Sequence, residues 1–224
     1  MKPFQTEAIV LRRTNYGEAD RILQLLTPEH GKVSAIAKGV RKEKSKLAGG
    51  IELLAVSEVV LHRGKGDMSI LTGARLHTFF AQILKDYDKM QLAYEILKKI
   101  SVATEMVPEP EWYYLAKQAL TSLNQPAVTI ELIEVWYRLQ HSLLLGHELN
   151  LKADTEGNKL LENNRYTYDA QEMGLKVGDG EITAEHIKLL RLLTYNSPEL
   201  VSQVGHVDAL VTVCLWVVRQ HDQG

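Results

Sequence analysis

The sequence predicts an α+β protein in which an N-terminal OB-fold β-barrel precedes a mostly helical C-terminal domain with a small irregular or β insert. In several short runs of residues 1–78, apolar side chains alternate with polar ones, the period of a strand with one buried face. From Phe79 onward, apolar residues recur every three or four positions, as in helices, and proline separates the segments. These two patterns predict domains at 1–78 and 79–224.

Five short strands are expected in the first domain, over residues 6–14, 21–27, 32–40, 53–62 and 68–75. The turn signal Pro28-Glu29-His30-Gly31 closes the second strand, and the glycines of Arg63-Gly64-Lys65-Gly66-Asp67 allow a tight hairpin between the last two. Five short strands in so short a segment indicate a Greek-key barrel of the OB type, although an SH3-like barrel would give much the same pattern.

Helices are expected in the second domain wherever the 3.6-residue period holds. They cover a segment ending before Pro108, residues 111–124, residues 129–145, a segment from the cap Thr183 to Tyr195, a short helix begun by Ser197-Pro198, and a last helix around 207–218. Residues 149–180 lack this period and are rich in Asn, Asp and Gly, while Tyr166 and Tyr168 suggest a short strand there. This segment is the predicted insert.

Composition places the chain in the globular class, with 45% hydrophobic and 24% charged residues. No apolar stretch reaches the roughly 20 residues that a bilayer-spanning helix needs, and the first residues lack the pattern of a secretory signal. The single cysteine, Cys214, allows neither an intrachain disulfide nor a cysteine-cluster zinc site. We therefore expect a cytoplasmic protein without a membrane span.

Charge is distributed unevenly along the chain. The formal net charge is -2, but residues 1–78 carry 13 Lys and Arg against 8 Asp and Glu, a net charge of +5, which leaves -7 for the remainder. A basic module joined to an acidic one suggests that the first module meets a polyanion. Chance scatter of surface charge is the alternative.

The densest group of cations lies in residues 38–46, which we call the basic loop. It contains Lys38, Arg41, Lys42, Lys44 and Lys46. Long cationic side chains at a barrel rim can follow a nucleic-acid backbone, and Gly39 permits a close approach, so phosphate is the expected ligand. Four further cations can extend the same surface: Arg12, Arg13, Arg63 and Lys65. The alternative is a solvated loop without a ligand.

Aromatic side chains for base stacking are few in the predicted barrel. Phe4 and Phe79 are expected in the core or at the domain junction, with Phe80 a further candidate, whereas Tyr16, in the first turn, can be exposed to a base. Binding is therefore expected to depend on the DNA backbone and to be indifferent to sequence.

Catalytic motifs are absent or weak. The segment from His141 to His147 lacks the paired histidines of a helical zinc protease, and Gly64-Lys65-Gly66 is too short for a phosphate-binding P-loop. Cys214 falls on an apolar helix face, where a thiol usually serves packing. No catalytic residue is assigned, and a hydrolase whose site is assembled from distant His and Asp residues remains a minor alternative.

An ordered set of motifs resembles the bacterial RecO family of recombinational DNA-repair mediators. The motifs are Glu7-Ala8-Ile9-Val10-Leu11, Tyr16-Gly17-Glu18-Ala19-Asp20-Arg21-Ile22, Thr27-Pro28-Glu29-His30-Gly31-Lys32, and Ala37-Lys38-Gly39-Val40-Arg41 followed by Ser45. The resemblance implies an OB fold, a helical domain, binding of single- and double-stranded DNA, and strand annealing. It also implies cooperation with RecR and with the single-stranded-DNA-binding protein SSB in loading RecA recombinase, a nucleoid-associated location, and no bond-breaking activity.

The same resemblance bears on the insert, where many family members carry a four-cysteine zinc knuckle. Here the matching positions of the first cysteine pair are Ala153 and Glu156, before Gly157, and a second pair is missing from residues 173–180. We expect no zinc and no other cofactor. The insert is expected to have its own small core, formed by Leu160, Leu161, Tyr166 and Tyr168.

A further implication of the resemblance is that the helical domain binds the acidic, apolar-ended tail of SSB. Such a tail needs an apolar groove with cations at its rim. Four cations are possible: Lys98, Lys99, Arg138 and Arg191. The alternative to a DNA-binding repair mediator is a scaffold protein whose barrel binds protein rather than DNA.

Overall fold

The computed structural model describes residues 3–64 and 66–222 and begins with a closed five-stranded barrel. Its strands are β1 (Phe4–Tyr16), β2 (Asp20–Thr27), β3 (Gly31–Ala37), β4 (Ala55–Arg63) and β5 (Met68–Phe79). They are arranged in the order β1-β2-β3-β5-β4, and only β3 and β5 pair in parallel. The OB-like barrel followed by helices confirms the predicted fold class.

The core of the barrel forms because every second residue of a strand points inward. Two inward residues come from each of the first three strands: Ala8, Val10, Leu23, Leu25, Ala35 and Ala37. Val40 and Ile51, from the connection between β3 and β4, are also fully buried in this cluster. Most strand ends differ from the prediction by one or two residues, and the ends of β3 and β5 differ by three and four. The third strand ends at Ala37 because residues 38–40 turn, and the fifth continues to Phe79.

The chain divides into two compact units, one extending to Asn124 and one beginning at Gln125. The first unit contains the barrel together with α1 (Tyr87–Met106) and α2 (Glu111–Leu123). The strand-to-helix transition lies close to the predicted position, but α1 and α2 are grouped with the barrel. The boundary at residue 79 stays a prediction.

Glu7 on β1 joins the barrel to α2. Its Oε2 accepts hydrogen bonds from Tyr113 Oη at 2.6 Å and from Lys117 Nζ at 2.8 Å, and its Oε1 lies 3.5 Å from His77 Nδ1. The hydrogen bond from Lys117, with that from Tyr113, holds the pKa of Glu7 below its ordinary value. The ionised carboxylate therefore stabilises this unit.

The second unit contains helices and a two-stranded hairpin. Its elements are α3 (Ile130–Leu144), β6 (Tyr166–Asp169), β7 (Gly174–Val177), α4 (Ala184–Tyr195), α5 (Pro198–Val201) and α6 (Val207–His221). A buried ionic network connects α3 to the end of α6. Glu134 accepts hydrogen bonds from Arg138 and Arg219, and Arg138 also pairs with Asp222. Burial raises the pKa of Glu134, but the two arginines outweigh it and keep that pKa low.

The insert is held by a buried tyrosine and a carboxylate-centred turn. Tyr166 is fully buried, and its hydroxyl accepts a hydrogen bond from the Leu161 N–H at 2.7 Å. Asp154 Oδ1 accepts from the backbone N–H groups of Glu156 and Asn158, at 3.0 and 2.8 Å. The predicted core is corrected at Leu161, whose side chain is 55% exposed. Within the described ranges, no group of three or more His, Cys, Asp or Glu could hold a metal. The absence of zinc remains a prediction.

Two buried histidines of the second unit use a ring nitrogen as an acceptor. His186 Nδ1 lies 3.1 Å from the backbone N–H of Thr183, a group that can only donate, so this nitrogen carries no proton. His221 Nε2 donates to the His147 carbonyl oxygen at 2.7 Å, and its Nδ1 faces the Tyr168 hydroxyl at 2.9 Å. Burial lowers the pKa of both histidines below the ordinary 6.5.

Replacing Glu7 by Gln should destabilise the protein by about 1 kcal/mol. This decrease in the free energy of unfolding is at the lower end of the range for a charge-assisted hydrogen bond, because a third of the Glu7 side chain is exposed. Urea denaturation measures it. Glu58→Gln is the matched control, since Glu58 lies directly opposite Glu7 on β4. Equal stability of E7Q and the unsubstituted protein would contradict the assigned role.

Stability should decrease as the pH falls through about 6.5, before Glu7 or Glu134 is protonated. Unfolded histidines take up protons near their ordinary pKa of 6.5, whereas His186 and His221 resist protonation in the fold, so acid favours the unfolded chain. A second loss should follow below about 4.5, where Glu7 and Glu134 must be protonated. Unfolding free energies measured from pH 8 to pH 4 test this. A flat profile between pH 7 and pH 5 would contradict the histidine assignment, and His186→Asn should reduce the first decrease.

Candidate nucleic-acid interface

The basic loop follows β3 and is fixed to the turn between β1 and β2. The Gly39 N–H donates to Asp20 Oδ1 at 2.7 Å, and the Arg41 N–H donates to the Ala19 carbonyl oxygen at 2.9 Å. The backbone of Gly39 has φ +62°, which favours glycine. Val40 is buried in the barrel core. The base of the loop is therefore ordered, while its charged side chains point outward.

The cations of the basic loop are exposed and keep their charges available. This holds for all five predicted residues: Lys38, Arg41, Lys42, Lys44 and Lys46. Within residues 3–64 and 66–222, none of them forms an ion pair with a carboxylate. Arg41 Nη1 contacts only the carbonyl oxygen of Gly17, at 3.3 Å. The loop therefore concentrates five cations against the single acid Glu43, and no ion pair of the described residues neutralises those cations.

Arg12 and Arg13 lie on opposite faces of β1. Arg12 is opposite Gln24 and exposed, whereas Arg13 is opposite the core residue Leu23 and shares its inward face. Arg13 Nη1 pairs with Glu52 Oε2 at 2.9 Å, and its side chain is 25% exposed. Arg12 is thus available to a ligand, while the charge of Arg13 is satisfied within the barrel.

Arg63 lies at the other end of the barrel from the basic loop. β3 and β5 are parallel, so they start at the same end, where the turn after Arg63 leads into β5. The basic loop follows the opposite end of β3. The structure does not bring Arg63 to the basic loop. Lys65, in the same turn, lies outside the described residues.

One cation beside the basic loop, Arg21, is not predicted as a ligand-binding residue by the strand pattern. Arg21 is the second residue of β2 and is half-buried, with its Nε donating to Asn15 Oδ1 at 3.2 Å. It belongs to the same end as the loop because it pairs with Ala37, the last residue of β3. Only the pairing register shows this proximity, since the sequence places Arg21 in an ordinary strand.

The aromatic residues of the barrel divide into packed and exposed groups. Phe4 packs edge-on against His30, with ring centroids 4.5 Å apart, and Phe80 is buried. Phe79 is 40% exposed and so does not fill the core, while its place at a domain junction stays a prediction. Tyr16 is 55% exposed at the end of β1, as expected.

The thiol of Cys214 is unsuited to nucleophilic chemistry. It is completely buried in the second unit, and burial raises its pKa to about 12. A thiolate is therefore not available near neutral pH. The side chain serves packing, as its position on the apolar face of α6 predicted.

A cavity in the second unit combines apolar walls with two cations and one acid, Glu148. It has a volume of about 530 Å³ and is lined by Leu139, Leu143, Leu149, Leu151, Lys152 and Arg191, among others. Arg191 is fixed there by two hydrogen bonds to the Leu151 carbonyl oxygen, from Nε at 3.0 Å and Nη2 at 2.6 Å. Of the four cations considered for an acidic peptide, Arg138 is buried in the ionic network, and Lys98 and Lys99 lie on α1 in the first unit.

A closed five-stranded barrel with an unneutralised basic loop places the chain in the class of OB-like barrel proteins. Residues 1–80 match the family model described as Recombination protein O N terminal. The chain is 39% identical, over 87% of its own length and 79% of the relative's, to the DNA repair protein RecO of Dehalococcoides mccartyi. It is 29% identical, over 78% and 63%, to RecO of Desulfitobacterium hafniense, and 47% identical over 81 residues to RecO of Heliobacterium modesticaldum. The chain belongs to the RecO family of DNA repair proteins.

Among the described residues, no helix is both long and apolar enough to span a bilayer.

Proposed function

We propose that this chain binds single- and double-stranded DNA through the basic loop and anneals complementary strands as a mediator rather than an enzyme. With RecR as a partner, it would help to load RecA onto SSB-coated DNA in the bacterial cytoplasm, at the nucleoid. The single observation that supports DNA binding most is the set of five exposed loop cations without a carboxylate partner in the described chain. Membership of the RecO family supports the place of this binding in DNA repair.

Annealing has a physical basis in this arrangement. Two complementary strands repel each other through their phosphates, and a basic surface that binds each of them reduces this repulsion. Contacts to phosphate leave the base edges free to pair. The basic loop has an ordered base and long side chains, so it can neutralise phosphates without imposing one register on the strand.

The triple variant Arg41→Ala, Lys42→Ala and Lys44→Ala should weaken single-strand binding and reduce its salt dependence. Each phosphate contact contributes about 0.7 to the slope of log K against log salt, so three lost contacts should reduce the slope by about 2. Gel-shift titrations at several salt concentrations measure both quantities.

The matched control for the loop variant replaces three exposed lysines elsewhere, Lys85, Lys98 and Lys159. It changes the net charge equally and should leave the slope nearly unchanged. Unaltered affinity and slope in the loop variant would exclude the loop from DNA binding. Failure of the unsubstituted protein to bind DNA would favour the scaffold alternative, in which the barrel binds protein. Strand annealing measured with and without SSB coating then tests the mediator role.

The cavity of the second unit supports SSB as a partner. An acidic peptide that ends in an apolar side chain needs a hydrophobic recess beside cations, which the four leucines, Lys152 and Arg191 provide. Because Arg191 is held by the Leu151 carbonyl oxygen, its guanidinium is oriented before a ligand arrives. We assign the SSB tail to this cavity.

Lys152→Glu should weaken binding of a fluorescent SSB-tail peptide by about tenfold, since an attraction becomes a repulsion at the rim. Fluorescence anisotropy measures the affinity. Lys176→Glu, in the same unit but outside the cavity lining, is the control. A peptide without its terminal apolar residue should bind weakly to both proteins. Equal affinity of K152E and K176E for the intact peptide would place its site elsewhere.

A further inference from the structure

We propose that Tyr16 stacks on an unpaired base and gives the basic loop a preference for single-stranded over double-stranded DNA. This inference rests on the proposed DNA binding and assigns a specificity-determining residue to the same surface. The basic loop itself recognises phosphates, which both forms of DNA present. A residue that distinguishes the forms must contact something that only one of them exposes.

Tyr16 lies at the tip of a projecting hairpin. β1 pairs with β4 only as far as Ile9, but its pairing with β2 continues to Tyr16, which is opposite Asp20. The three last residues of β1 are all exposed. Over half of the Tyr16 side chain is accessible, and within the described residues its ring has no aromatic neighbour and its hydroxyl no hydrogen bond. The ring is therefore free to receive a ligand.

The position of this ring is linked to the phosphate-binding cations. Gly17, the next residue, accepts a hydrogen bond from the Arg41 guanidinium, and Ala19 accepts one from the Arg41 backbone N–H. Asp20, at the far side of the turn, accepts the Gly39 N–H. The turn and the start of the basic loop therefore form one hydrogen-bonded unit. In a nucleotide, the phosphate and the base are attached to the same sugar. A cation and an aromatic ring that are held in one unit can therefore contact the phosphate and the base of one nucleotide or of two successive nucleotides.

Stacking on Tyr16 would distinguish the two forms of DNA because base faces are covered in a duplex. In a single strand every base has an accessible π-face, and its stacking on an aromatic side chain contributes about 1–3 kcal/mol per base. The interaction needs the ring and not its hydroxyl. It also reads no base edge, so it does not depend on sequence.

A variant–ligand cycle tests this inference directly. Its proteins are the unsubstituted chain, Tyr16→Ala, Tyr16→Phe and the control Tyr87→Ala, which removes a similarly exposed ring from α1. Its ligands are a single-stranded oligonucleotide, the same strand with abasic sites, and a duplex of equal length. Abasic sites remove the stacking bases but keep the phosphates. Affinities are measured at two salt concentrations.

Tyr16→Ala should bind the normal single strand at least about fivefold more weakly, with an unchanged salt slope and duplex affinity within about twofold of the original. The unsubstituted protein should bind the abasic strand more weakly than the normal single strand by a similar factor. Y16A should bind the abasic strand only a little more weakly than the normal one. Y16F and Y87A should behave like the unsubstituted protein.

Any of three results would overturn the inference. The first is that Y16A binds the normal single strand within about twofold of the unsubstituted protein, and the second is that it loses equal affinity for the single strand and the duplex. The third is that abasic sites weaken the binding of Y16A as much as they weaken that of the unsubstituted protein. In each of these the unsubstituted protein still binds DNA, and the proposed function stands. If it binds neither form, the proposed function fails together with the inference.

Discussion

The hydrogen bond from the Gly39 N–H to the Asp20 carboxylate determines how positive charge is arranged on this protein. Asp20 lies among the cations of the basic loop, yet no ion pair of the described residues involves it. A carboxylate that accepts from a backbone N–H fixes the loop and still leaves the arginine and lysine side chains to solvent. The base of the loop is thus ordered, while its arginine and lysine side chains have no carboxylate partner among the described residues. This combination favours an anionic ligand.

Three other acids of the barrel are engaged away from this loop, whereas Glu43 lies within it and is exposed. Glu7 is bound by Tyr113 and Lys117, Glu52 by Arg13, and Glu29 by the hydroxyl of Thr6. Each of these contacts stabilises a junction between elements of the first unit. These three acids therefore contribute to the fold without cancelling the positive charge at the loop. In the second unit, Arg138 and Arg219 instead pair with the buried acid Glu134. Cations of this unit are thus used within the fold, in agreement with the net negative charge of residues 79–224.

Features that depend on local sequence pattern could be predicted. Features that depend on how strands pair with one another could not. The strands and helices follow from alternation, period and turn residues, and the exposure of the loop follows from its charge density. Adjacent residues of a strand lie on opposite faces, but the register shift between Val10 and Arg12 decides that Arg13 and not Arg12 faces inward, and hydrophobic alternation does not reveal this. The separation of Arg63 from the loop depends on the parallel pairing of β3 with β5, and the closeness of Arg21 depends on the register of the β2–β3 pairing.

The balance between holding a strand and releasing it for pairing also follows from this geometry. Phosphate contacts made by long, solvated side chains are individually weak and exchange rapidly, so they concentrate DNA without trapping it. One stacking ring adds affinity for an unpaired strand, and that contribution is lost when the base enters a duplex. A surface with several such rings would resist pairing, whereas a surface with none could not distinguish substrate from product. A single ring beside five cations therefore suits a protein that must bind separate strands and let the annealed product leave.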